Sequence, residues 1–276
     1  MKQSKWVGKF VNERSQNRKN YHQGPKTSLQ QWQTYIHLFR RFLAGRQQPV
    51  VLVMGSTPEL RDLALSYSKA RLITVDNSPK AIARMNPLIH HKNNPREKII
   101  ISDWLKMQID SESIDLIVGD CALIHFLPDQ FEIFFRKARK ILKPNGVIIL
   151  REPVLVKKLV KSPQAIILQA RKEKWHWCDL HAFLYICTKA PWHNFRSERV
   201  TMGGLYSWIG QAHKKGILSE REFKALWPWH GSLVHTVLPK EKFIKLFKKY
   251  FKPVKVNQPH DLRYQQFMPF FAGQPR

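Results

Sequence analysis

Three aspartates and one glycine stand directly after mostly apolar segments of the sequence. Gly55 follows residues 50–54, and Asp76, Asp103 and Asp120 close three later segments. Such β-branched runs are typical of strands buried on both faces. A glycine turn that leads into a helix can hold the polar part of a nucleotide, and a carboxylate about twenty residues later can bind ribose hydroxyls. The spacing therefore predicts a nucleotide-like ligand at these strand ends.

The turn after residue 54 has the residues of a helix start. Thr57 can cap the helix, and Pro58 suits its first position, where the missing N–H has no partner in any case. Glu59 places a carboxylate in the first helical turn, where negative charge is favourable. From Gly55 the sequence reads GSTPEL instead of G-x-G-x-x-G, which argues against an NAD-dependent oxidoreductase.

Strand and helix patterns alternate through the middle of the chain. Repeated units of this size predict a parallel sheet that is covered on both faces and has right-handed crossovers. Ligands of such sheets lie at the carboxyl ends of the strands, where the glycine and the three aspartates fall. The predicted strands are 50–54, 71–76, 98–102, 113–119 and 147–151, and the predicted helices are 58–69, one that begins at 78–79, and 128–142.

The flanks of this core have different patterns. Apolar residues at helical spacing predict an amphipathic helix over 29–43, with Ser28 and Gln31 as a capping box and Gly45 as its stop. Residues 153–235 show no alternation of strand and helix patterns and contain many Trp and His residues. We therefore predict that they form a helical insertion that covers the site. A last helix from Pro239 and two strands, 252–256 and 263–271, complete the predicted core.

The charge of the chain is strongly basic, with a formal net charge of +27. The net charge is +9 over residues 1–50, +3 over 51–150 and +15 over 151–276, so the flanks hold nearly all of the excess. Basic flanks can attract RNA or DNA, although scattered lysines are equally typical of a solvated surface. Three cysteines at unremarkable spacings and the lack of a long apolar run predict a cytoplasmic protein without a membrane segment.

The order of these parts resembles the class I S-adenosylmethionine-dependent methyltransferases, over about residues 28–152 and 239–272. VLVMGSTPEL resembles the first motif of that family, LITVDNSP the second, SDWLKM the third, DLIVGDCALIHF the fourth, and ILKPNGVIILRE the following turn and strand. The resemblance implies an α/β fold with a Rossmann-like, doubly wound sheet of seven strands, the last antiparallel. It also implies S-adenosyl-L-methionine as cofactor and S-adenosyl-L-homocysteine as product.

The resemblance and the sequence pattern together predict four parts of the chain. Residues 1–27 would be a basic, flexible segment, and 28–152 the cofactor-binding core, beginning with an N-terminal helix. Residues 153–235 would be a helical insertion or lid after strand five, on the substrate side. Residues 236–276 would add the helix and strands that complete the core.

The resemblance also implies a role for each matching position. Asp76, with the neighbouring Asn77, would bind the ribose hydroxyls. Asp103 would accept from the adenine amino group, with Trp104 beside the ring. Asp120 and Cys121 would lie near the amino acid end and the transferable methyl group. The backbone that passes under the methionine part would be that of Gly55, Ser56, Thr57, Pro58 and Glu59.

The first motif departs from the family pattern. Thr57 and Glu59 stand where the family usually has glycines, and Val53 replaces a common acidic residue. Glu59 is the candidate replacement, because its carboxylate could face the cofactor's ammonium group. The alternative for two of the aspartates is a purely structural role: Asp76 could cap the turn that follows it, and Asp103 could cap a helix.

The catalytic candidates are Asp120 and His125. The resemblance places Asp120 near the transferable methyl group, and a histidine with an ordinary pKa, such as His125, can act as a general base. A cluster of His176, Cys178 and His181 matches no standard zinc site, so we expect no metal. The acceptor would be a small molecule or RNA, methylated at oxygen, carbon or nitrogen. The alternative is a catalytically silent module that binds nucleic acid through the basic flanks. The sequence leaves the oligomeric state open.

Overall fold

The computed structural model describes residues 28–227 and 233–276. The predicted flexible segment 1–27, and the insertion residues Trp229 and His230, lie outside the described residues. The first half of the described chain alternates helices and strands: α1 (Leu29–Leu43), β1 (Val50–Met54), α2 (Pro58–Leu65), β2 (Arg71–Asp76), α3 (Pro79–Met85), β3 (Glu97–Ile101), β4 (Ile114–Asp120), α4 (Gln130–Ile141) and β5 (Leu142–Arg151).

The second half begins with the insertion and returns to the core. The insertion contains α5 (Pro163–Lys172), α6 (Trp177–Ile186), β6 (His193–Asn194), β7 (Arg199–Thr201), α7 (Met202–Lys214), α8 (Glu220–Leu226) and β8 (Val234–Thr236). The core is then completed by α9 (Lys240–Tyr250), β9 (Phe251–Val254) and β10 (Phe270–Pro275).

The central sheet has seven strands in the order β3-β2-β1-β4-β5-β10-β9. Strands β1 to β5 pair in parallel, and β10 runs antiparallel to both β5 and β9. The register aligns Met54 with both Val75 and Gly119, and Asp120 with Arg151. The carboxyl ends of β1, β2, β4 and β5 therefore lie at one edge, and the predicted doubly wound sheet with an antiparallel last strand is confirmed.

Helices cover both faces of this sheet. Trp32, Tyr35 and Phe39 of α1 pack on one face with the side chains of α2, and aromatic residues of α4 and α9 pack on the other. The predicted cap of α1 is present, because the Ser28 hydroxyl accepts from the Gln31 N–H and the Gln31 side chain accepts from the Ser28 N–H. Within 28–227 and 233–276, no helix is long and apolar enough to cross a membrane.

The insertion helices α5, α6, α7 and α8 all contribute to one hydrophobic cluster, which also includes Tyr264, Phe267 and Met268 from the segment before β10. It also contains a sheet of three strands in the order β6-β7-β8, so the prediction of helices and loops alone was incomplete. Strands of two or three residues are too short to show an alternating pattern in the sequence.

Three predicted boundaries were wrong. Residues 263–271 were predicted as one strand, but Arg263–Phe267 is a 3₁₀ helix and β10 begins only at Phe270. Strand β5 begins at Leu142 instead of after the segment KPNG, which forms an irregularity in its pairing with β4. Helix α2 ends at Leu65 instead of residue 69. Local composition marks the turn residues but does not determine how the neighbouring strand pairs with them.

Candidate functional site

The turn between β1 and α2 requires a glycine. Gly55 has a φ of +81°, in the left-handed region that residues with a Cβ adopt only at a cost. Its N–H donates to the carbonyl of Val75 at 2.8 Å, which ties the turn to β2. A Cβ at this position would lie 3.7 Å from the Trp104 ring and 3.9 Å from Asp76 Oδ2. The turn, the aspartate and the indole are therefore neighbours.

Asp76 is fixed by two backbone donors. Its Oδ2 accepts from the Ser56 N–H at 3.0 Å, and its Oδ1 accepts from the Ser78 N–H at 2.8 Å. The capping role left open by the sequence is thus present. Each carboxylate oxygen has a second acceptor site, so the same group can still receive hydroxyl donors from a ligand. Asn77, the next residue, is exposed.

The end of β3 contributes Asp103 and Trp104. The indole Nε1 of Trp104 donates to the carbonyl of Val75 at 2.7 Å, which holds the ring at the ends of β1 and β2. Asp103 Oδ1 accepts from the Leu105 N–H at 2.8 Å, as expected of a residue that caps a turn. The positive charge of Lys137 lies near the Asp103 carboxylate.

The helix start after Gly55 follows its prediction in part. Pro58 occupies the first turn of α2, and Glu59 is the acidic residue of that turn. Thr57 stands at the cap position, but its side chain makes no capping hydrogen bond, so that predicted detail was wrong. Ser56 is buried, and its N–H serves Asp76 instead.

Asp120 forms a buried ion pair at the ends of β4 and β5. Its Oδ1 accepts a hydrogen bond from Arg151 Nε at 2.7 Å and lies 2.6 Å from Arg151 Nη2, and the side chains of Asp120 and Arg151 are 13% and 3% exposed. Cys121 follows with a φ of +52° and donates its N–H to the Arg151 carbonyl at 2.8 Å. Burial, together with the Asp120 charge, raises the pKa of the Cys121 thiol well above its ordinary value.

Sequence reasoning missed Glu152, the residue after β5. Its Oε1 accepts from the N–H groups of Ala122 at 2.9 Å and Leu123 at 3.0 Å. Its Oε2 is buried and has no hydrogen-bond partner in the described chain. Burial raises the pKa of this carboxyl to about 8, although the two backbone hydrogen bonds lower it. The sequence did contain an indication of this residue, because Arg151 and Glu152 follow the apolar residues of a strand in the same way as the aspartates do.

The insertion adds a tyrosine–histidine pair that carries no local sequence signal. The Tyr185 hydroxyl on α6 hydrogen-bonds to His235 Nδ1 on β8. The His235 ring meets the His125 ring edge-on, with centroids 5.3 Å apart, and the His125 ring lies 6.4 Å from that of Trp104. Burial, then the charges of His125 and Arg199, lowers the pKa of His235 to about 3.

His125 itself is an exposed residue whose ring is partly desolvated by its neighbours. This desolvation lowers its pKa, and the nearby Asp76 carboxylate opposes the change. His125 is therefore neutral at pH 7 and lies between the Trp104 end of the site and the insertion. The structure thus brings two groups of residues to one edge. One group is Gly55, Ser56, Asp76, Trp104 and His125, and the other is Asp120, Cys121, Arg151 and Glu152.

The fold and this strand-end site define an α/β protein of the class that binds a nucleotide-like cofactor at the carboxyl edge of a parallel sheet. A family model described as a methyltransferase domain matches residues 55–208, more than half of the chain. The chain belongs to this methyltransferase family.

Solved structures with low sequence identity share the fold. A protein of Pyrococcus horikoshii has a TM-score of 0.55 and 15% identity, with 95% of this chain and 99% of that chain covered. A SAM-dependent methyltransferase of Methanosarcina mazei has a TM-score of 0.50 and 11% identity, with 86% and 96% covered. A search of the curated proteins finds no match. The resemblance to class I methyltransferases is confirmed, and S-adenosyl-L-methionine is the cofactor of that class.

Proposed function

We propose that this chain transfers a methyl group from S-adenosyl-L-methionine to a small-molecule acceptor held beneath the insertion. The observation that carries the proposal is the Asp76 carboxylate, which is fixed beside the Gly55 turn by the Ser56 N–H. A carboxylate with acceptor sites to spare suits the two hydroxyl donors of a ribose. Glycine leaves room beside it, since any Cβ at position 55 would contact Trp104 and Asp76.

The donors and acceptors at the edge fit the cofactor in three places. Asp76 would receive the ribose hydroxyls, Trp104 would offer an aromatic face to the base, and Asp103 would accept from the adenine amino group. Asp103 uses one oxygen for the Leu105 N–H, and carboxylates accept more than one hydrogen bond. When bound, the cofactor would supply a methyl group from its sulfonium to the acceptor, and the electron pair of the broken carbon–sulfur bond would stay on the sulfur of the neutral thioether that leaves.

The residues of this chain then have to position the acceptor and receive its proton. The acceptor loses its proton to a nearby base. His125 is the candidate base, because its imidazole is neutral at pH 7 and adjoins Trp104 and His235. Asp120 is a weaker candidate, because its carboxylate is paired with Arg151.

The insertion favours a small acceptor over RNA. Tyr185 and His235 are buried, hydrogen-bonded to each other and uncharged at neutral pH, as the raised pKa of Tyr185 and the lowered pKa of His235 indicate. Both changes arise first from burial. Neutral hydroxyl and imidazole groups recognise an uncharged polar group better than a phosphate, which prefers Arg and Lys.

Titration calorimetry of the full chain tests the cofactor. S-adenosylmethionine and S-adenosylhomocysteine should bind with micromolar affinity, and NAD should not. Transfer of labelled methyl to a metabolite extract, compared with transfer to total RNA, then tests the acceptor class. Label in the small-molecule fraction supports the proposal, and label confined to RNA overturns its acceptor.

The alternative, a silent nucleic-acid-binding module, rests on the net charge of +27. It predicts RNA binding that weakens steeply with salt and no affinity for S-adenosylmethionine or S-adenosylhomocysteine. A single calorimetric titration with these two compounds therefore distinguishes the two functions.

A further inference from the structure

One ring nitrogen of His235 is buried without a hydrogen-bond partner. His235 lies on β8 and is 8% exposed. Its Nδ1 is hydrogen-bonded to the Tyr185 hydroxyl, whereas its Nε2 has no partner among residues 28–227 and 233–276. Such an atom costs stability, because its bonds to water are lost without replacement. In a native fold, a buried polar atom of this kind points to a ligand or a trapped water.

Strand β8 holds His235 against the loop that carries His125. The Thr236 hydroxyl donates to the Phe126 carbonyl, and Arg199 Nη1 donates to the same carbonyl at 3.2 Å and to Thr236 Oγ1 at 2.7 Å. These bonds join the insertion to the residue directly after His125. With ring centroids 5.3 Å apart, the two imidazoles are close enough to contact one small molecule. The unpartnered nitrogen therefore belongs to the acceptor side of the candidate site.

The hydrogen bond with Tyr185 determines where the His235 ring carries its proton. Both groups are uncharged at neutral pH, because burial raises the pKa of Tyr185 and lowers the pKa of His235 to about 3. The Tyr185 hydroxyl has no second hydrogen-bond partner within the described ranges, so its hydrogen is satisfied only by donation to His235 Nδ1. A neutral imidazole has one N–H, which then lies on Nε2. His235 is thus a neutral donor, and the partner that it lacks is a hydrogen-bond acceptor.

The charges around this donor favour an uncharged partner. Arg199 is the cation whose charge acts on His235, and its guanidinium already donates to Thr236 Oγ1 and to the carbonyls of Phe126 and Val234. A carboxylate or phosphate would therefore meet a neutral N–H and gain little charge-assisted bonding there. An uncharged oxygen, such as that of a carbonyl, ether or hydroxyl group, matches the donor better.

We propose that His235 Nε2 donates a hydrogen bond to an uncharged oxygen of the acceptor, and that Tyr185 positions this donor by fixing the tautomer of the ring. The inference rests on the proposed function, in which His125 receives the proton of the methylated group. It adds the class of the acceptor, a neutral small molecule with a carbonyl, ether or second hydroxyl oxygen beside the hydroxyl or amino group that is methylated. His235 then determines specificity, and His125 remains the candidate base.

Nitrogen NMR of the full chain tests the tautomer without an acceptor. Two-bond ¹H–¹⁵N spectra of protein labelled with ¹⁵N-histidine, recorded with S-adenosylhomocysteine, can be assigned to His235 by comparison with His235→Gln. The ring should be neutral, with its proton on Nε2, from pH 5 to 8. In Tyr185→Phe the fixed tautomer should give way to a mixture. A proton on Nδ1, or an imidazolium in that pH range, overturns the inference.

Methyl transfer tests the contact itself. The labelled product from the metabolite extract identifies the acceptor, which is then used in purified form. His235→Phe removes the donor at similar volume, so KM for the acceptor should rise about 2- to 10-fold and kcat should stay within about twofold, because the lost bond is uniform binding. His235→Gln keeps an N–H donor near the same place and should restore most of the affinity.

His193→Phe is the matched control. His193 is a histidine of β6 that is 5% exposed, and it belongs to the same sheet as His235, with β7 between them. This variant should leave KM unchanged. If His235→Phe does not fold, the spectra of the wild type and the structure of the labelled product still decide the question.

A wild-type KM in His235→Phe would overturn the inference and leave trapped water as the partner of Nε2. Equal rises of KM in the two phenylalanine variants, or a labelled product without a hydrogen-bond-accepting oxygen beside the methylated group, would overturn it as well. A wild-type chain that transfers no label would instead overturn the proposed function, and this inference with it.

Discussion

The carboxylate of Asp76 accepts a hydrogen bond from the N–H of Ser56 at 3.0 Å, which joins the end of β2 to the turn after β1. This contact links the two sequence features, a glycine turn and an acidic strand end, that first indicated a nucleotide site. It also holds the carboxylate in one orientation before any ligand arrives, so little ordering of this group is needed on binding.

Replacement of Asp76 by alanine should weaken the binding of S-adenosylhomocysteine by one to two orders of magnitude, because it removes charge-assisted hydrogen bonds worth roughly 1.5–3 kcal/mol. Calorimetry with Asp110→Ala, which removes an exposed carboxylate, provides the control. Wild-type affinity in the Asp76 variant would contradict the ribose assignment.

Gly55→Ala should lower the free energy of unfolding by about 1–2 kcal/mol, because φ is +81° there and an added Cβ disfavours the left-handed region. Gly216→Ala is the matched control, since Gly216 has a φ of +69° and nothing within 4 Å of an added Cβ. Urea unfolding should show similar losses in the two variants. Cofactor affinity should fall only in Gly55→Ala, and an equal effect on binding in both variants would contradict a contact at the turn.

Trp104→Phe should abolish most of the change in tryptophan fluorescence that S-adenosylhomocysteine causes, because the indole lies against Gly55 and bonds to the Val75 carbonyl at 2.7 Å. The lost hydrogen bond should also cost about 0.5–1.5 kcal/mol of stability. Trp227→Phe, in the insertion, should keep the fluorescence change. A full response in the Trp104 variant would show that the ligand binds elsewhere.

The Glu152 carboxyl should make the stability of the protein fall as pH rises. Its pKa is about 8 in the folded chain and 4.5 in an ordinary setting, so the folded state retains a proton that the unfolded state has lost. The stabilising contribution of this carboxyl is complete below pH 4.5 and decreases as the pH rises from 4.5 to 8. Over this range the free energy of unfolding falls by no more than about 1.4 kcal/mol per pH unit. Glu152→Gln should therefore flatten the decline in urea-unfolding free energy between pH 5 and 8.

Glu222→Gln is the control for this pH series. The hydrogen bond from Arg171 lowers the pKa of Glu222 to about 2, so this carboxylate is ionised in both states from pH 5 to 8. The stability difference between wild type and Glu222→Gln should stay constant over that range. A constant difference for Glu152→Gln as well would mean that its carboxyl titrates normally.

Local sequence patterns were sufficient to predict the strands β1, β2 and β4, the parallel order of the core and the residues at the strand ends. Apolar periodicity and glycine or proline turns act over a few residues, so they can be recognised without knowing the rest of the fold. For the same reason Gly55, Asp76, Asp103 and Asp120 were found as candidate site residues. Glu152 ends a strand in the same way and could have been included.

The hydrogen-bond and ion-pair partners of these residues depend on the tertiary fold. Asp120 pairs with Arg151, 31 positions away, Tyr185 with His235, 50 positions away, and Gln31 with Tyr264, 233 positions away. Such contacts depend on how whole helices and strands pack, and no local pattern encodes that packing. The sequence thus identified the three aspartates, while the fold determined that Asp120 is paired with Arg151, that Glu152 retains its proton and that Asp76 has acceptor sites left for a ligand.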